Sequence, residues 1–356
     1  MAGLYIHIPF CKQKCHYCNF YAIASVRHKP EMVEAIGQEL NIASPYLEGE
    51  SLKTIYLGGG TPSLLDEAEL NHLFECIYKN YRVETNAEIT LEANPDDLNE
   101  EKRKILLNSP VNRLSIGVQS FHDDDLLALN RVHTSGQAFD AIREMQQAGI
   151  TNISIDLIYG IPGLTDTKWE QNLETFRQLE LPHLSAYSLT VEPRTTLDWL
   201  IKKGRSKPVN EDQSIGQFKI LQDFAAHHGY EQYEISNFCL PGMNSRHNSA
   251  YWSGEKYLGI GPASHSFNGS SRRWNIANSQ IYIQSIAEGK LNYQEEILTD
   301  KQKYNEYVLT SLRTMQGCDL NLIEKRFGLG YRIYIELAAE NDLSSGKYIF
   351  QNDHLF

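Results

Sequence analysis

Three of the six cysteines in this 356-residue chain lie on one short segment, at Cys11, Cys15 and Cys18. A C-x3-C-x2-C segment can hold three corners of a [4Fe–4S] cluster, because cysteine thiolates are the usual ligands of such clusters. Zinc is the alternative, but a structural zinc site commonly completes its ligands with a second Cys or His pair, and none follows in the sequence. His16 lies inside the segment and could not complete a zinc tetrahedron beside its own neighbours without strain. The spacing therefore favours an iron–sulfur cluster with one iron left open.

Short apolar runs with strand character alternate with longer helical patterns along the first half of the chain. The strand-like runs cover residues 3–10, 54–60, 87–94, 113–120, 152–160 and 183–190. Helical patterns lie between most of them, for example at 31–43 and 135–149. Strands that alternate with helices are typical of a parallel sheet built from βα units. We therefore predict an α/β fold with a partial (β/α)6 barrel related to the TIM barrel.

Polar, acidic or glycine residues stand at the C-terminal ends of five of these runs. The cysteine segment follows the first run, GGGTP ends the second, and Glu92, Gln119 and Asp156 lie near the ends of the next three. In parallel barrels that end carries the active site, because the βα loops converge there. Turns are often rich in glycine and proline, which explains the glycines but not the acidic and amide side chains. We therefore predict that five loops border one cavity.

The composition is that of an ordinary globular protein, with 41% hydrophobic and 22% charged residues. No apolar run approaches the roughly 18 residues of a membrane span, and the first residues lack the pattern of a signal peptide. The sequence therefore predicts a cytoplasmic protein without a transmembrane segment, and peripheral contact with a membrane is left open. The formal net charge of −12 weighs against nucleic-acid binding, because phosphate contacts need clustered Lys and Arg.

The strand–helix alternation ends near residue 195, and we predict three segments. These are a barrel at 1–195, an extension at 196–295 and a C-terminal α+β domain at 296–356. The last segment is similar to a winged helix, since it reads as helix, turn, helix and a short hairpin. A winged-helix nucleic-acid binder with a structural metal is accordingly a distant functional alternative, which the acidic charge disfavours.

The cysteine segment resembles the signature of the radical S-adenosylmethionine (SAM) enzymes, with Tyr17 before the last cysteine and GGGTP after the next strand. The resemblance implies that the amino and carboxylate groups of SAM bind the open iron. It also implies the following SAM-binding residues: Tyr5, Gly59, Gly60, Thr61, Glu92, Gln119, Arg131 and Asp156.

The chemistry of these side chains suits SAM. Glycine allows a close approach of the backbone to a ligand, and the planar fork of Arg131 suits a carboxylate. Glu92 and Gln119 suit ribose hydroxyls or the amino group, while Asp156 could bind ribose or position Arg131. Taken singly, each side chain could also belong to a surface ion pair or a capped helix end. No catalytic residue is assigned.

Further motifs place the resemblance in one branch of this superfamily. LYIHIPFC, EITLEANP, RLSIGVQSF, DLIYGIPG, YEISNF and YLGIGPASHS follow in order between residues 4 and 267 and look like the coproporphyrinogen III oxidase-like branch. Its two competing members are the oxygen-independent coproporphyrinogen III oxidase and the HemW-type heme chaperones. The oxidase carries a fourth cysteine where this chain has Phe20, and a longer N-terminal segment where ten residues precede Cys11. HNSAYW at 247–252 matches the HNxxYW motif of the chaperones, so we expect a heme chaperone.

The resemblance implies that the protein binds heme and passes it to apo-hemoproteins, which we expect to be respiratory proteins. The candidate heme site, an axial imidazole beside flat aromatic surfaces, consists of His247, Asn248, Tyr251 and Trp252. His7 and His265 are rival ligands, and His247 could instead be an ordinary hydrogen-bonded histidine. A homodimer and radical cleavage of SAM are both left open. Three arginines could pair with the heme propionates: Arg246, Arg272 and Arg273.

Overall fold

The computed structural model describes residues 2–356, apart from the side chain of Asn341. Its N-terminal half is built from strand–helix units. The strands are β1 (Ala2–Ile8), β2 (Leu52–Gly59), β3 (Val83–Ala93), β4 (Arg113–Gln119), β5 (Ile153–Tyr159) and β6 (His183–Ser188). The helices between and after them are α1 (Lys29–Ile42), α2 (Glu67–Asn80), α3 (Glu100–Leu107), α4 (Asp123–Ala128), α5 (Ser135–Gln147) and α6 (Asp166–Gln178). Short 3-10 turns occupy Ser44–Leu47, Pro62–Leu64 and Pro95–Asp97.

The six strands pair in sequence order, and each pairing between them is parallel. Tyr5 of β1 lies opposite Tyr56 of β2, and Leu91 of β3 lies opposite Leu114 of β4. β4 is buried along its whole length, as expected for a parallel strand that is covered on both faces. The predicted α/β fold with a six-unit barrel is therefore confirmed.

The helices begin and face inward for reasons that are visible in the sequence. Asp66 and Glu69 form a capping box at the start of α2, and the same arrangement of Thr134 and Gln137 starts α5. Ala138, Ile142 and Met145 of α5 are buried. Their spacing of four and three residues places them on one helical face, which packs against the sheet.

The extension adds strands to both edges of the barrel sheet. Its elements are α7 (Thr196–Lys202), α8 (Glu211–His228), β7 (Glu231–Gln232), β8 (Asn237–Cys239), α9 (Arg246–Trp252), β9 (Lys256–Ile260), β10 (His265–Phe267), β11 (Ser271–Asn275), α10 (Ser279–Ala287) and β12 (Tyr293–Ile297). β9 pairs in parallel with β1 and continues into the antiparallel strands β10, β11 and β12. β8 pairs antiparallel with β6, and β7 follows it. The six predicted strands are thus part of a sheet with twelve strands within residues 2–356.

The carboxylate of Glu39 on α1 ties the extension to the barrel. It accepts hydrogen bonds from the Gly261 backbone N at 2.7 Å, Asn275 Nδ2 at 2.6 Å and the Tyr282 hydroxyl at 2.5 Å. Glu39 is buried, and burial raises its pKa. The three donors come from the loop after β9, from β11 and from α10, so one side chain holds three parts of the extension.

The C-terminal segment has the element order of a winged helix. It comprises α11 (Asp300–Ser311), β13 (Cys318–Asp319), α12 (Leu320–Phe327), α13 (Leu329–Ser344), β14 (Phe350–Gln351) and β15 (His354–Leu355). β15 lies between β13 and β14 in a small antiparallel sheet. A separate buried cluster that includes Tyr304, Ile323 and Leu355 stabilises it. The predicted winged-helix character is confirmed, and the structure adds β13 and a third helix.

The predicted boundary at residue 195 does not coincide with a break in the core. Buried apolar residues of the barrel and of the extension belong to one cluster, which runs from Ala2 to Ile286. The three-segment division stays a prediction. Within residues 2–356, no helix combines the length and the apolar character needed to cross a membrane.

We expect Glu39→Ala to lower the free energy of unfolding by about 3 kcal/mol, because three buried donors lose their charged acceptor. Denaturant unfolding of the variant and of the unmodified protein measures this difference. Glu34→Ala is the matched control, since Glu34 lies on the same helix but is exposed, and it should change stability by less than about 0.5 kcal/mol. Equal stability of the two variants would contradict the anchoring role of Glu39.

Candidate functional site

A cavity of about 550 Å³ lies at the C-terminal ends of the barrel strands. Each of the six strand–helix units contributes residues from its strand or from the loop after it, as expected for this end of a parallel barrel. The three cysteines and seven of the eight predicted SAM residues border it: Cys11, Cys15, Cys18, Gly59, Gly60, Thr61, Glu92, Gln119, Arg131 and Asp156. The strand-end pattern therefore located residues that share one cavity, although their individual roles stay predictions.

The cysteine segment forms a loop whose two ends are joined by backbone hydrogen bonds. Cys11 N donates to Ile23 O at 3.0 Å, and Ile23 N donates to Pro9 O at 2.7 Å. The three cysteines are free and half-buried. His16 faces away from them, since its Nδ1 lies 3.0 Å from the carbonyl oxygen of Ala128.

The donor set fits an iron–sulfur cluster better than a single ion. No three His, Cys, Asp or Glu side chains in residues 2–356 are arranged to hold one metal ion. A cubane instead takes each thiolate on a different iron, so its ligands need not converge on one point. Burial raises the pKa of Cys11 and Cys18, and metal binding requires loss of those protons.

Arg131 connects the cysteine loop to the ends of β3 and β4. Its Nη1 lies 3.2 Å from Cys15 Sγ, while Nη2 donates to Asn94 Oδ1 and to Gly117 O, both at 2.6 Å. Its Nε is buried and has no hydrogen-bond partner among the described residues. An unsatisfied buried donor is costly, so the described residues do not fully compensate for the burial of this guanidinium.

Asn94 is a site residue that the sequence analysis did not assign. Its Nδ2 donates to Thr61 Oγ1 at 3.2 Å, and Thr61 Oγ1 donates to Cys11 Sγ at 3.5 Å. Together with Arg131, Asn94 completes a polar network that runs from Cys15 to Cys11. Its position in EANP, at the C-terminal end of a predicted strand, was the signal that could have identified it.

Two carboxylates border the cavity without an ion-pair partner in the described chain. Glu92 accepts from the Tyr56 hydroxyl at 2.7 Å and from Gly59 N at 2.9 Å. Burial raises the pKa of Glu92, and burial together with the charge of Glu92 raises the pKa of Asp156 to about 7. Burial thus disfavours the ionised form of both carboxyl groups, and a cationic or hydroxyl-rich ligand would compensate for this loss of hydration.

Packing inside the protein requires the two glycines at and directly after the end of β2, Gly59 and Gly60. A Cβ atom at Gly59, where φ is +105°, would overlap the His7 imidazole, and one at Gly60 would lie 2.6 Å from Phe10 O. Both glycines were predicted to allow a close approach of the backbone to SAM. Close contact with β1 and the loop after it already accounts for them.

Comparison with known proteins identifies the family of this chain. A family model described as the radical SAM superfamily matches residues 5–176. "Heme chaperone HemW" of Bacillus subtilis is 39% identical over 92% of this chain and 87% of that protein. The HemW protein of Lactococcus lactis is 36% identical over 94% of this chain and 88% of its own length. The chain belongs to the HemW family of radical SAM proteins.

A solved structure shares the fold of this HemW family member. Coproporphyrinogen III oxidase (HemN) from Escherichia coli, a radical SAM enzyme, superposes with a TM-score of 0.85 over 99% of this chain and 85% of that chain. The sequence identity is 24%, so this likeness shows the common fold alone. The resemblance predicted from the motifs is confirmed at the level of the superfamily, the branch and the family.

The HNxxYW motif of this HemW family member forms α9, near the N-terminal ends of the barrel strands. Backbone N atoms of Arg246 and His247 each donate to the Glu88 carboxylate at 3.0 Å. His247 is 2% exposed, with Nδ1 at 2.8 Å from Thr54 Oγ1 and Nε2 at 3.0 Å from the Tyr251 hydroxyl. Both ring nitrogens are therefore engaged, and burial lowers the pKa of His247 to about 3. This geometry matches the hydrogen-bonded alternative, and axial ligation of heme by His247 stays a prediction.

The remaining members of the predicted heme site lie on this same helix. Asn248 N donates to Ser245 Oγ at 3.3 Å, which caps α9. Tyr251 and Trp252 are half-buried, and both border a second cavity that residues of the C-terminal domain also line. The four motif residues thus do not share one surface.

Tyr5, the eighth predicted SAM residue, is not among the residues that border the first cavity. It lies mid-strand on β1, where its ring stacks on Tyr56 and its hydroxyl lies 3.0 Å from His7 Nδ1. His7 Nε2 lies 2.8 Å from Tyr21 O, so the rival histidine is also fully engaged. Tyr187, at the end of β6, does border the cavity and was not assigned from the sequence.

We expect Asp156→Asn to stabilise the protein at high pH but not at low pH. The raised pKa of Asp156, from 3.8 to about 7, means that the folded state loses stability as pH rises between these values. The amide does not titrate, so the variant should gain on the order of 2 kcal/mol above pH 7 and nothing at pH 4. Denaturant unfolding at both pH values, with the exposed Asp140→Asn as control, measures the difference. A gain of equal size at pH 4 would contradict the assigned cause.

Proposed function

We propose that this protein is a heme chaperone that holds a [4Fe–4S] cluster, binds SAM and delivers heme to apo-hemoproteins, respiratory proteins among them. The carrying observation is the 39% identity to a protein named heme chaperone over almost the whole chain. The cavity geometry supports the cofactor part of the proposal. We place its action in the cytoplasm, where cysteines such as the six of this chain stay reduced.

Cys11, Cys15 and Cys18 would hold the cluster. When bound, the cluster with SAM supplies one-electron chemistry that amino-acid side chains cannot provide. The chain's own contribution is to orient the thiolates and to hydrogen-bond their sulfur atoms. Arg131 and Thr61 already contact Cys15 and Cys11, and hydrogen bonds to cluster sulfurs adjust the reduction potential.

Glu92, Gln119 and Asp156 would bind SAM through its hydroxyl and ammonium groups. The two carboxylates have a raised pKa and no ion-pair partner within residues 2–356. A sulfonium ligand would favour the ionised form of both carboxyl groups. Gln119 has a positive φ of 72°, which is uncommon outside glycine and asparagine and often marks a functional position.

Coproporphyrinogen III oxidase activity is the second candidate, because the motifs between residues 4 and 267 resemble the branch that contains this oxidase. Phe20 argues against it, because the resemblance places a fourth cysteine of the oxidase at this position. Phe20 borders the cavity and its side chain is 65% exposed. An apolar ring therefore stands where the oxidase would present a thiol.

The cluster is tested by metal analysis of anaerobically purified protein. We expect about four irons per chain and a brown absorbance that air bleaches. Cys11→Ala, Cys15→Ala and Cys18→Ala should each abolish both, and Cys76→Ala should not, since Cys76 lies on α2 away from the cavity. Added SAM should change the electron paramagnetic resonance spectrum of the reduced cluster. Stoichiometric zinc in a colourless, air-stable protein would contradict the cluster.

The choice between chaperone and oxidase is tested by parallel incubations of the reconstituted protein. We expect heme binding, followed by transfer to an apo-hemoprotein, and no decarboxylation of coproporphyrinogen III with SAM and a reductant. Absorbance spectroscopy and product chromatography measure the two outcomes. Sustained formation of protoporphyrinogen IX would overturn the chaperone function in favour of the oxidase.

A further inference from the structure

A second cavity, of about 590 Å³, lies between the extension and the C-terminal domain. Its volume falls within the roughly 300–1,000 Å³ of typical small-molecule sites. Strands β9, β10 and β11 form one wall, and helices α11 and α12 form the opposite wall. Tyr251 and Trp252 of α9 border it as well. We name it the interdomain cleft.

The sheet wall of the interdomain cleft combines an imidazole with aromatic rings on one face. His265 lies opposite Trp274, and Phe267 lies opposite both Arg272 and Tyr257. Residues directly opposite one another in adjacent strands project to the same face, as do residues two apart along one strand. His265, Phe267, Tyr257 and Arg272 all border the cleft.

His265 has a free imidazole in the described structure. Its side chain is exposed and stacks on Trp274 with ring centroids 6.1 Å apart. Within residues 2–356, neither ring nitrogen of His265 has a hydrogen-bond partner, in contrast to His7 and His247. A neutral imidazole with a free nitrogen is the ligand that heme iron takes most often from proteins.

The interdomain cleft is bordered by three basic and three acidic residues: Arg272, Lys303, Arg326, Glu255, Asp300 and Glu306. Lys303 lies on α11 and Arg326 on α12, and both border the cleft together with Arg272. Arg272 is paired with Glu306 at 2.8 Å and Lys303 with Asp300 at 3.6 Å. Arg326 is exposed and has no ion-pair partner among the described residues. Arginine suits carboxylate recognition because its planar fork can bind both oxygens.

We propose that the interdomain cleft is the heme site and that His265 is the axial ligand. The inference rests on the proposed function, because it takes the cargo to be an iron porphyrin with carboxylate side chains. The porphyrin plane packs against the aromatic rings of the sheet wall and of α9. The propionates face Arg326 and Arg272, and the iron lies at the His265 imidazole.

Two other cavities contain a histidine but fit heme less well. One of about 380 Å³ includes His28, which lies near Glu31, and one of about 470 Å³ includes His354. No described lysine or arginine borders either cavity. Heme propionates would remain without a cationic partner there, whereas the interdomain cleft provides three cations.

The proposal also assigns different roles to the residues of the HNxxYW motif. Tyr251 and Trp252 border the interdomain cleft, while the buried His247 holds the Tyr251 hydroxyl at 3.0 Å. His247 is therefore a positioning residue that orients one wall of the heme site. Its substitution should weaken heme binding without changing the identity of the axial ligand.

The experiment is a ferric heme titration of the full-length protein followed by its Soret band. His265→Ala should lose the band of imidazole-ligated heme, and added free imidazole should restore it. His265→Cys should shift the spectrum to that of thiolate ligation. The matched control His354→Ala should keep the wild-type band, and His247→Gln should keep it with weaker affinity.

Three results would separate the possibilities. A wild-type band in His265→Ala, or an unshifted spectrum in His265→Cys, would overturn the ligand assignment. Loss of the band in His354→Ala with retention in His265→Ala would move the site to the neighbouring cavity and overturn the proposal. Absence of heme binding by the unmodified protein would contradict the proposed function itself. This outcome is distinct from those of the variants, which test only the position of the heme site.

The propionate contact is tested by charge reversal. Arg326→Glu should weaken binding of heme but leave binding of heme dimethyl ester, which lacks the two carboxylates, unchanged. Arg246→Glu is the control, because Arg246 lies outside the cleft and its Nη1 donates to Asn86 O at 2.6 Å. Equal affinity of Arg326→Glu and wild type for heme would overturn the placement of the propionates.

Discussion

Parallel hydrogen bonding from β1 through β6, in sequence order, is the constraint on which the site depends. It brings the carboxyl ends of all six strands to one end of the barrel, so residues as distant in sequence as Cys11 and Asp156 border the same cavity. The connecting helices only have to cover the sheet. The loops are then free to carry thiols, carboxylates and a guanidinium on a rigid support.

The cavity retains electrostatic interactions that the protein alone does not satisfy. Arg131 donates to a cysteine sulfur and to two neutral oxygens, while Glu92 and Asp156 have no cationic partner in the described chain. Pairing the guanidinium with either carboxylate would remove the groups that suit a ligand with both a carboxylate and positive charge. Buried polar groups without a full set of partners lower stability, as is common at functional sites.

The sequence was sufficient to predict the barrel and most of the residues at its mouth, because a strand's period and its end are local signals. It could not show at which end of the barrel each side chain lies. Tyr5 lies mid-strand rather than at the mouth, and His247 lies at the opposite end of the barrel with both nitrogens engaged. The pairing of β9 with β1 joins segments about 250 residues apart, and no local pattern encodes such a contact. Packing on His7 requires the glycine at position 59, and its predicted role in binding SAM stays a prediction.

The two cavities are joined by a contiguous series of polar and ring contacts that passes through α9. The Tyr56 hydroxyl donates to Glu92 at the first cavity, and the Tyr56 ring stacks on His247 with centroids 4.9 Å apart. His247 bonds the Tyr251 hydroxyl, and the Tyr251 ring meets the edge of Tyr257 at 4.6 Å, in the wall of the interdomain cleft. Close-packed interiors transmit displacement rather than absorb it. The buried His247 is the central member of this series, because its ring contacts Tyr56 on one side and the Tyr251 hydroxyl on the other, so its replacement would interrupt the contact between the two cavities.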